Sequence, residues 1–142
     1  MFNRNLKKRP GSVIPLAAGE NLRGGAAFSD AIDGGWLAFV QPDVGKWGGI
    51  TRCRDVAMQA ARHGVACCPH WLGGGIGLAA SLHFLAAHGT AESYAEVDAN
   101  PNPLREQVCP LIPRNGTVVL GDAPGIGVEP DLVRLKPFAT GC

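Results

Sequence analysis

The sequence predicts an α/β fold made of about four parallel strand–helix units. Short apolar runs alternate with segments of helical pattern along most of the chain. Each apolar run ends at or near one ionisable residue, and the four are Glu20, Asp43, His70 and Glu96, separated by 23, 27 and 26 residues. The carboxyl ends of parallel strands lie at the same edge of a sheet, so we expect these side chains to converge on one rim.

The first two units have clear boundaries. The segments "SVIPLAAGE" and "WLAFVQPD" are predicted strands that end at Glu20 and Asp43, and "NLRGGAAFSDAIDGG" between them is a predicted loop and short helix. The segment "ITRCRDVAMQAARHG" repeats apolar residues at helical spacing, with Thr51 as the predicted N-cap and Gly64 as the stop. We interpret His63, in the last turn, as a residue that stabilises the helix end.

The second half of the chain contains the remaining units. The segment "VACCPH" is a predicted third strand ending at His70, and Ile76–Ala87 is apolar nearly all round, which predicts a buried helix. His83 on this helix is expected to be packed rather than a ligand. The segment "SYAEVDAN" is a predicted fourth strand that carries Glu96. An Asn-Gly pair then predicts a hairpin between "CPLIPR" and "TVVLGD", and "DAPGIGVEPD" an extended tail.

Composition bounds the class of protein. The 142 residues suffice for one domain, which we place at residues 13–142 after a basic, disordered tail at residues 1–12. The net charge of +1 gives no field that would favour nucleic acid, and no apolar run is long enough to cross a membrane. Five cysteines without CxxC spacing favour reduced thiols. We therefore expect a cytoplasmic protein that binds neither nucleic acid nor membrane.

Three kinds of chemistry compete for His70. A zinc site is disfavoured because Cys67 and Cys68 are adjacent in a strand and point to opposite faces. A nucleotide loop is suggested by "GIGLAA", which fits G-x-G-x-x-A, with acidic residues about 20 positions later. Against it, Pro69–Leu72 separates the strand from the glycines, where a dinucleotide fold turns at once. An acid–base role is favoured because Asp43 lies one unit earlier and a carboxylate fixes the tautomer of an imidazole.

Four stretches together resemble a known family. The stretches "IPLAAGEN", "VQPDVGKWGGIT", "CCPHWLGGGIGLAASLHFLAA" and "EVDANPNPLRE" look like consecutive C-terminal barrel segments of the mandelate racemase/muconate-lactonizing branch of the enolase superfamily. The resemblance covers Val13 to Phe138, with the motifs in family order. It implies the C-terminal half of a (β/α)8 TIM-like barrel, with about four parallel βα units, a C-terminal hairpin and an extended tail. The last stretch and "DAPGIGVEPD" look closest to sugar-acid dehydratases and cycloisomerases.

The resemblance implies a role for each strand-end residue. Glu20 matches a carboxylate ligand of the catalytic Mg²⁺. Asp43 and His70 match an Asp–His pair whose histidine moves the proton α to a carboxylate, through an enediolate intermediate. Glu96 matches the acid that hydrogen-bonds the substrate carboxylate.

Further substrate contacts are predicted beside these residues. They are Asn21, next to the metal ligand, and Gly74 and Gly75 in the glycine loop, where a small side chain lets substrate approach the backbone. The implied activity is that of a Mg²⁺-dependent racemase, dehydratase or cycloisomerase acting on a sugar acid or related hydroxy acid.

The resemblance also implies that family members contain more than this chain does. They have an N-terminal capping domain and a full barrel, whereas this chain begins just before the fifth barrel strand. Two of three metal carboxylates and a lysine base on the opposite face are then missing, so we expect the chain to be truncated and inactive alone. Two alternatives stay open: an inactive fragment or assembly module, completed by a second copy or by the missing N-terminal half, and a dinucleotide-binding domain.

Overall fold

A computed structural model describes residues 14–108 and 113–140, and its centre is a three-stranded parallel sheet in the order β1-β2-β3. The strands are β1 (Leu16–Ala18), β2 (Leu37–Val40) and β3 (Ala66–Cys67). Leu16 pairs with Leu37, and Phe39 pairs with Ala66. The predicted parallel βα arrangement is therefore confirmed for the first three units. The predicted basic tail lies outside the described residues.

Helices connect and follow these strands. They are α1 (Gly25–Asp33), α2 (Gly49–Arg62), α3 (Gly75–His88), α4 (Pro103–Val108) and α5 (Leu132–Leu135), with a 3₁₀ turn at Lys136–Phe138. No helix within residues 14–108 and 113–140 is long and apolar enough to cross a membrane.

Two apolar clusters hold the elements together. The first joins α1, α2, the sheet and one residue of α3, and its buried members are Phe28, Ile32, Leu37, Val40, Cys53, Val56, Ala57, Ala60, Val65, Cys67 and Phe84. The predicted stripe on α2 supplies four of these side chains, because residues three and four apart share one helix face. The second cluster joins one face of α3 to the later loops and includes Leu78, Ala79 and Leu82. The strands that carry the rim are therefore packed against α1 and α2 through the first cluster.

Helix α2 differs from its prediction at one end. It begins at Gly49 after Gly48, whose φ of 60° is in the left-handed region, so Thr51 lies inside the first turn and is not the N-cap. The end is as predicted: Gly64 has φ 64° and stops the helix. His63 Nδ1 lies 3.0 Å from the Gln59 carbonyl oxygen, which agrees with a stabilising role at the helix end.

Helix α3 is less buried than its composition predicts. One side packs into the second cluster, but Ile76 is 50% exposed and Ala86 and Ala87 are also exposed. His83 is half-buried. The expectation of a helix buried all round is wrong, because too few elements among the described residues surround α3.

The predicted fourth strand is not formed. Residues 93–100 make no strand ladder, and the Tyr94 N–H donates to Cys68 Sγ at 3.2 Å instead of to a carbonyl. The Asp98 carboxylate accepts from the Asn100 N–H at 2.9 Å, and such a local bond competes with sheet pairing. Pro69 beyond β3 has no N–H to extend a ladder. Among the described residues the sheet therefore has three strands, not four.

The predicted tight turn is present in the C-terminal part. Asn115 and Gly116 have φ of 52° and 75°, and Arg114 and Thr117 exchange backbone hydrogen bonds of 2.8 and 3.0 Å. This is the geometry of a two-residue hairpin turn. Most of the first predicted arm, residues 109–112, lies outside the described residues, so the hairpin itself stays a prediction.

Candidate active site

The sheet brings Asp43 and His70 together at its carboxyl edge. Beyond the paired strands, the Cys68 N–H donates to Val40 O at 2.9 Å and the His70 N–H donates to Pro42 O at 3.1 Å. This continued ladder places the residues that follow β2 and β3 side by side. Asp43 and His70 are 4% and 5% exposed, and Asp43 Oδ2 lies 3.0 Å from His70 Nδ1. The predicted contact is confirmed.

The Asp43 carboxylate is fixed by its own loop. Its Oδ1 accepts hydrogen bonds from the backbone N–H groups of Gly45 at 2.8 Å and Lys46 at 3.1 Å. A short polar side chain at the start of a turn commonly bonds in this way. Oδ1 is thus occupied, and Oδ2 is left to face the imidazole.

The other imidazole nitrogen faces two glutamates. His70 Nε2 lies 2.9 Å from Glu20 Oε2 and 3.9 Å from Glu96 Oε2. A neutral imidazole has one N–H, so it can donate to only one carboxylate at a time; an imidazolium can donate to both Asp43 and Glu20. Glu96 Oε2 is buried, and none of residues 14–108 and 113–140 gives it a hydrogen bond. The four predicted side chains therefore converge on one rim.

Glu20 reaches this rim through a close approach of backbones. The Gln41 N–H donates to Ala18 O at 3.0 Å, and Gly19 has φ of 135°. A Cβ built on Gly19 would lie 3.0 Å from the Gln41 nitrogen, so a side chain there would separate the two segments. Glycine at this position is required both by the backbone conformation and by the space.

A cavity of about 590 Å³ opens beside the imidazole. Its lining residues are Glu20, Asn21, Asp43, Gly45, Lys46, His70, Trp71, Leu72 and Gly73. The predicted contact Asn21 belongs to this lining, and its amide donates to Glu20 Oε1 at 2.9 Å. Gly74 and Gly75 do not line it: the Gly74 carbonyl accepts from the Trp71 indole at 2.9 Å, and Gly75 is the buried first residue of α3. Their role as substrate contacts stays a prediction.

Lys46 and Trp71 are the two largest of the lining residues that the sequence did not single out; Gly45 and Leu72 are the others. Lys46 Nζ donates to Asn21 Oδ1 at 3.2 Å and lies 3.6 Å from Asp43 Oδ2, so it joins the loops after β1 and β2. Its position three residues after Asp43, in the same loop, was the available signal. Trp71 directly follows His70 and belongs to the cavity lining. The residues next to Trp71 in the sequence do not indicate where its side chain lies.

The described residues do not complete a magnesium site. Within residues 14–108 and 113–140, no group of three His, Cys, Asp or Glu side chains is arranged to hold a metal. The Glu20 oxygens already face partners, Oε2 towards His70 and Oε1 towards Asn21. Magnesium requires near-octahedral oxygen ligation and gives up water reluctantly. One carboxylate of this kind does not suffice, so no step below depends on a metal held by this chain alone.

The buried cysteines are structural. Cys53, Cys67 and Cys68 are free thiols in the described part of the chain. Burial raises the pKa of Cys53 to about 12, with a smaller contribution from the negative charge of Asp43. Burial also raises the pKa of the Cys67 and Cys68 thiols, although the Tyr94 N–H partly offsets the effect at Cys68. Thiols that keep their protons at neutral pH are poor nucleophiles.

Comparison with known proteins gives a consistent family. The family model described as enolase C-terminal domain-like matches residues 4–134. D-galactarolactone cycloisomerase from Agrobacterium fabrum is 36% identical over 139 residues, covering 92% of this chain and 37% of that protein. D-galactonate dehydratase from Xanthomonas euvesicatoria is 32% identical over 130 residues, covering 87% and 34%.

A solved structure agrees with these relatives. The mandelate racemase/muconate lactonizing enzyme from Bordetella bronchiseptica RB50 superposes with a TM-score of 0.83 at 47% identity, covering 89% of this chain and 36% of that one. The chain therefore spans little more than a third of the length of the proteins it matches. Sequence, family model and backbone superposition agree, and the chain belongs to the enolase C-terminal domain-like family, in the mandelate racemase/muconate lactonizing enzyme branch of the enolase superfamily.

Proposed function

We propose that this protein is a lyase or isomerase of the enolase superfamily that removes the proton α to the carboxylate of a sugar acid. The observation that carries the proposal is the buried Asp43–His70 pair, whose second imidazole nitrogen faces the cavity. The names of the relatives, a galactarolactone cycloisomerase and a galactonate dehydratase, support a sugar acid or its lactone as the substrate class.

His70 is the proposed base. An N–H on Nδ1 donates to Asp43 Oδ2, which leaves the lone pair on Nε2. Because Glu20 Oε2 lies 2.9 Å from Nε2, this carboxylate must move away when substrate binds, so that the lone pair can reach the α-proton. Nε2 takes the α-proton, the C–H bonding electrons form the carbon–carbon double bond of an enediolate, and the resulting imidazolium is stabilised by the Asp43 carboxylate. Asp43 therefore acts as a positioning residue that fixes the tautomer.

Glu96 is the proposed hydrogen-bond donor to the enediolate. Its Oε2 is buried, accepts no hydrogen bond from the described residues and lies 3.9 Å from His70 Nε2. A carboxyl group that carries a proton can donate to an oxygen on which negative charge develops, and a donor fixed in place is worth most at that stage. Asn21, in the cavity lining, is the proposed contact to the rest of the substrate. Gly74 and Gly75 stay proposed contacts, although they lie outside this lining.

Members of the superfamily generally depend on Mg²⁺, and Glu20 is the proposed ligand from this chain. When bound, Mg²⁺ would stabilise the charge of the enediolate. The described residues supply too few ligands for it. We therefore propose that the remaining ligands come from outside this chain, and that the isolated chain does not turn over.

The second candidate function is an inactive fragment or assembly module. The incomplete metal site of the described residues favours it, since proton abstraction without a cation lacks its main electrostatic partner. This alternative shares the fold and differs in chemistry, so an activity measurement separates the two.

The test is a chimera in which this chain replaces the matching segment of the Agrobacterium cycloisomerase. A panel of galactonate, galactarate and galactarolactone is incubated with Mg²⁺ and the chimera, and products are followed by NMR. We expect turnover of at least one panel member that is lost in His70→Asn. A folded chimera without turnover would contradict the proposed function and favour the assembly module.

A further inference from the structure

Trp71 is the largest apolar group in the cavity lining, and it follows the proposed base directly in the chain. Leu72 is the other large apolar neighbour in the lining, and it is 54% exposed. The remaining large side chains around the cavity are polar or charged, as named above. The cavity thus combines one aromatic surface with a set of hydrogen-bonding groups.

The indole of Trp71 is held by one hydrogen bond and by close contact with three glycines, and Trp71 also packs against the second apolar cluster. Its Nε1–H donates to the Gly74 carbonyl at 2.9 Å. A Cβ built on Gly45 would lie 2.8 Å from Cζ3 of the indole, and one on Gly73 would lie 2.6 Å from Cζ2. A Cβ on Gly77 would overlap the six-membered ring. The loop after β2, the glycine loop and the first turn of α3 therefore close around one ring.

The glycines are explained by space and not by backbone conformation. Gly45, Gly73 and Gly77 all lie outside the left-handed region, so backbone conformation does not require glycine there. The indole is the nearest obstacle to a Cβ at each position, and at Gly45 the Asp43 Oδ1 atom is a second one at 3.3 Å. Within α3, glycine is also worse than alanine by about 1 kcal/mol. The chain retains a poor helix former at Gly77, and the structure shows the indole in the space it leaves.

A ring fixed in this way determines the shape of the cavity before any ligand enters. The carbon chain of a sugar acid has C–H groups that pack on an aromatic surface, and hydroxyl and carboxylate groups that require polar partners. We propose that Trp71 is a specificity-determining residue, whose fixed indole is the wall for the C–H groups of a polyhydroxy acid. This inference rests on the proposed function, and it names the part of the site that selects the substrate's carbon chain.

The first experiment tests the fixed ring without any ligand. In a variant with Trp36→Phe and Trp47→Phe, Trp71 is the only tryptophan of the chain and its fluorescence reports on it alone. Gly77→Ala should displace the ring, red-shift its emission and increase its quenching by acrylamide. Gly25→Ala is the matched control, because Gly25 also lies in the first turn of a helix and a Cβ there meets nothing within 4 Å. Equal emission and quenching in the two variants would contradict the fixed ring.

The second experiment uses D-galactonate as the probe. When D-galactonate is titrated into the Trp36→Phe, Trp47→Phe variant, the fluorescence of Trp71 should change until it reaches saturation. In the chimera, Trp71→Leu should raise KM for the panel acids by about five- to tenfold, the effect of losing roughly 50 Å² of apolar contact. Trp71→Phe should recover part of the loss, and Trp36→Leu should leave KM unchanged. An unchanged KM in Trp71→Leu, or no saturable fluorescence change, would overturn the inference.

The two proposals fail in different ways. If turnover is lost in His70→Asn but KM is unchanged in Trp71→Leu, Trp71 does not contact the substrate and the proposed function still stands. If a chimera without turnover binds the acid saturably and this binding depends on Trp71, the inference about Trp71 holds and the proposed proton abstraction is contradicted.

Discussion

His70 Nδ1 lies 3.0 Å from Asp43 Oδ2 although 27 residues separate the two in the chain. The pairing follows from the parallel register of β2 and β3, which the Cys68 and His70 N–H groups extend beyond the strand ends. The same edge carries Glu20, so a buried imidazole meets a carboxylate on each nitrogen. This arrangement determines what each part of the site contributes to stability and to chemistry.

Asp43→Asn should destabilise the fold by about 1–3 kcal/mol, because it replaces a buried acceptor of charge-assisted hydrogen bonds with a neutral amide. Part of the loss arises at His70, and part at the N–H groups of Gly45 and Lys46. Urea unfolding measures it. Asp55→Asn is the matched control, since Asp55 is about half-exposed and its ion pairs should contribute under 1 kcal/mol. Equal losses in the two variants would contradict the importance of the buried pair.

The three buried thiols should resist alkylation in the folded chain. Cys53, Cys67 and Cys68 have raised pKa values, so few thiolates exist at neutral pH, and burial blocks the reagent as well. Iodoacetamide labelling with peptide mapping should show modification of these residues only after urea is added. Rapid labelling of Cys53 in native buffer would count against the core described above.

The same pKa shifts predict a loss of stability in alkali. In the unfolded chain these thiols ionise at about pH 8.5. In the folded chain Cys53 holds its proton to about pH 12 because of burial. Above the unfolded value the unfolded chain therefore binds fewer protons, and the free energy of unfolding falls as pH rises. Melting temperatures measured from pH 7 to 10 should decline more in the wild type than in Cys53→Ala, compared with each protein's own value at pH 7.

Millimolar Mg²⁺ should leave the melting temperature of the isolated chain unchanged. Glu20 is the one proposed metal ligand from this chain. Mg²⁺ gives up its water reluctantly, so it should bind a single carboxylate only weakly. A thermal melt with and without Mg²⁺ measures the effect. Stabilisation that disappears in Glu20→Gln would show that the chain builds a metal site by itself, or by pairing with a second copy.

We propose that the chain associates, with a second copy or with a polypeptide that matches the part of its relatives this chain does not cover. β1 and β3 are both edges of the sheet, and exposed apolar side chains include Ile14, Leu72, Ile76 and Val119. Open edges and apolar surface favour pairing. Sedimentation velocity should show mass that rises with concentration. A single folded monomeric species throughout the micromolar range would refute self-association.

Local patterns in the sequence were sufficient for the parts of the fold that depend on short-range physics. Apolar runs and helical spacing predicted β1 to β3 and α2, and strand-end spacing predicted the Asp43–His70 contact. The prediction of a fourth strand was wrong. The Asp98 carboxylate accepts a hydrogen bond from the nearby Asn100 N–H, which competes with sheet pairing and cannot be read from an apolar pattern. The glycines around Trp71 were also beyond prediction, since three separate segments meet at one ring only in the folded chain. The same limit hid the link from Lys46 to Asn21.

The most direct measurement of the central claim is exchange of the α-proton for solvent deuterium in the chimera with Mg²⁺. Exchange isolates proton transfer from the later steps, so it reports on the proposed base whether the final product is rearranged or dehydrated. His63→Asn is the matched control, because His63 lies at the exposed end of α2 away from the cavity. We expect deuterium at the α-carbon of a sugar acid with the unsubstituted chimera and with His63→Asn, and none with His70→Asn. Exchange that persists in a folded His70→Asn variant would contradict the role of His70 as the base.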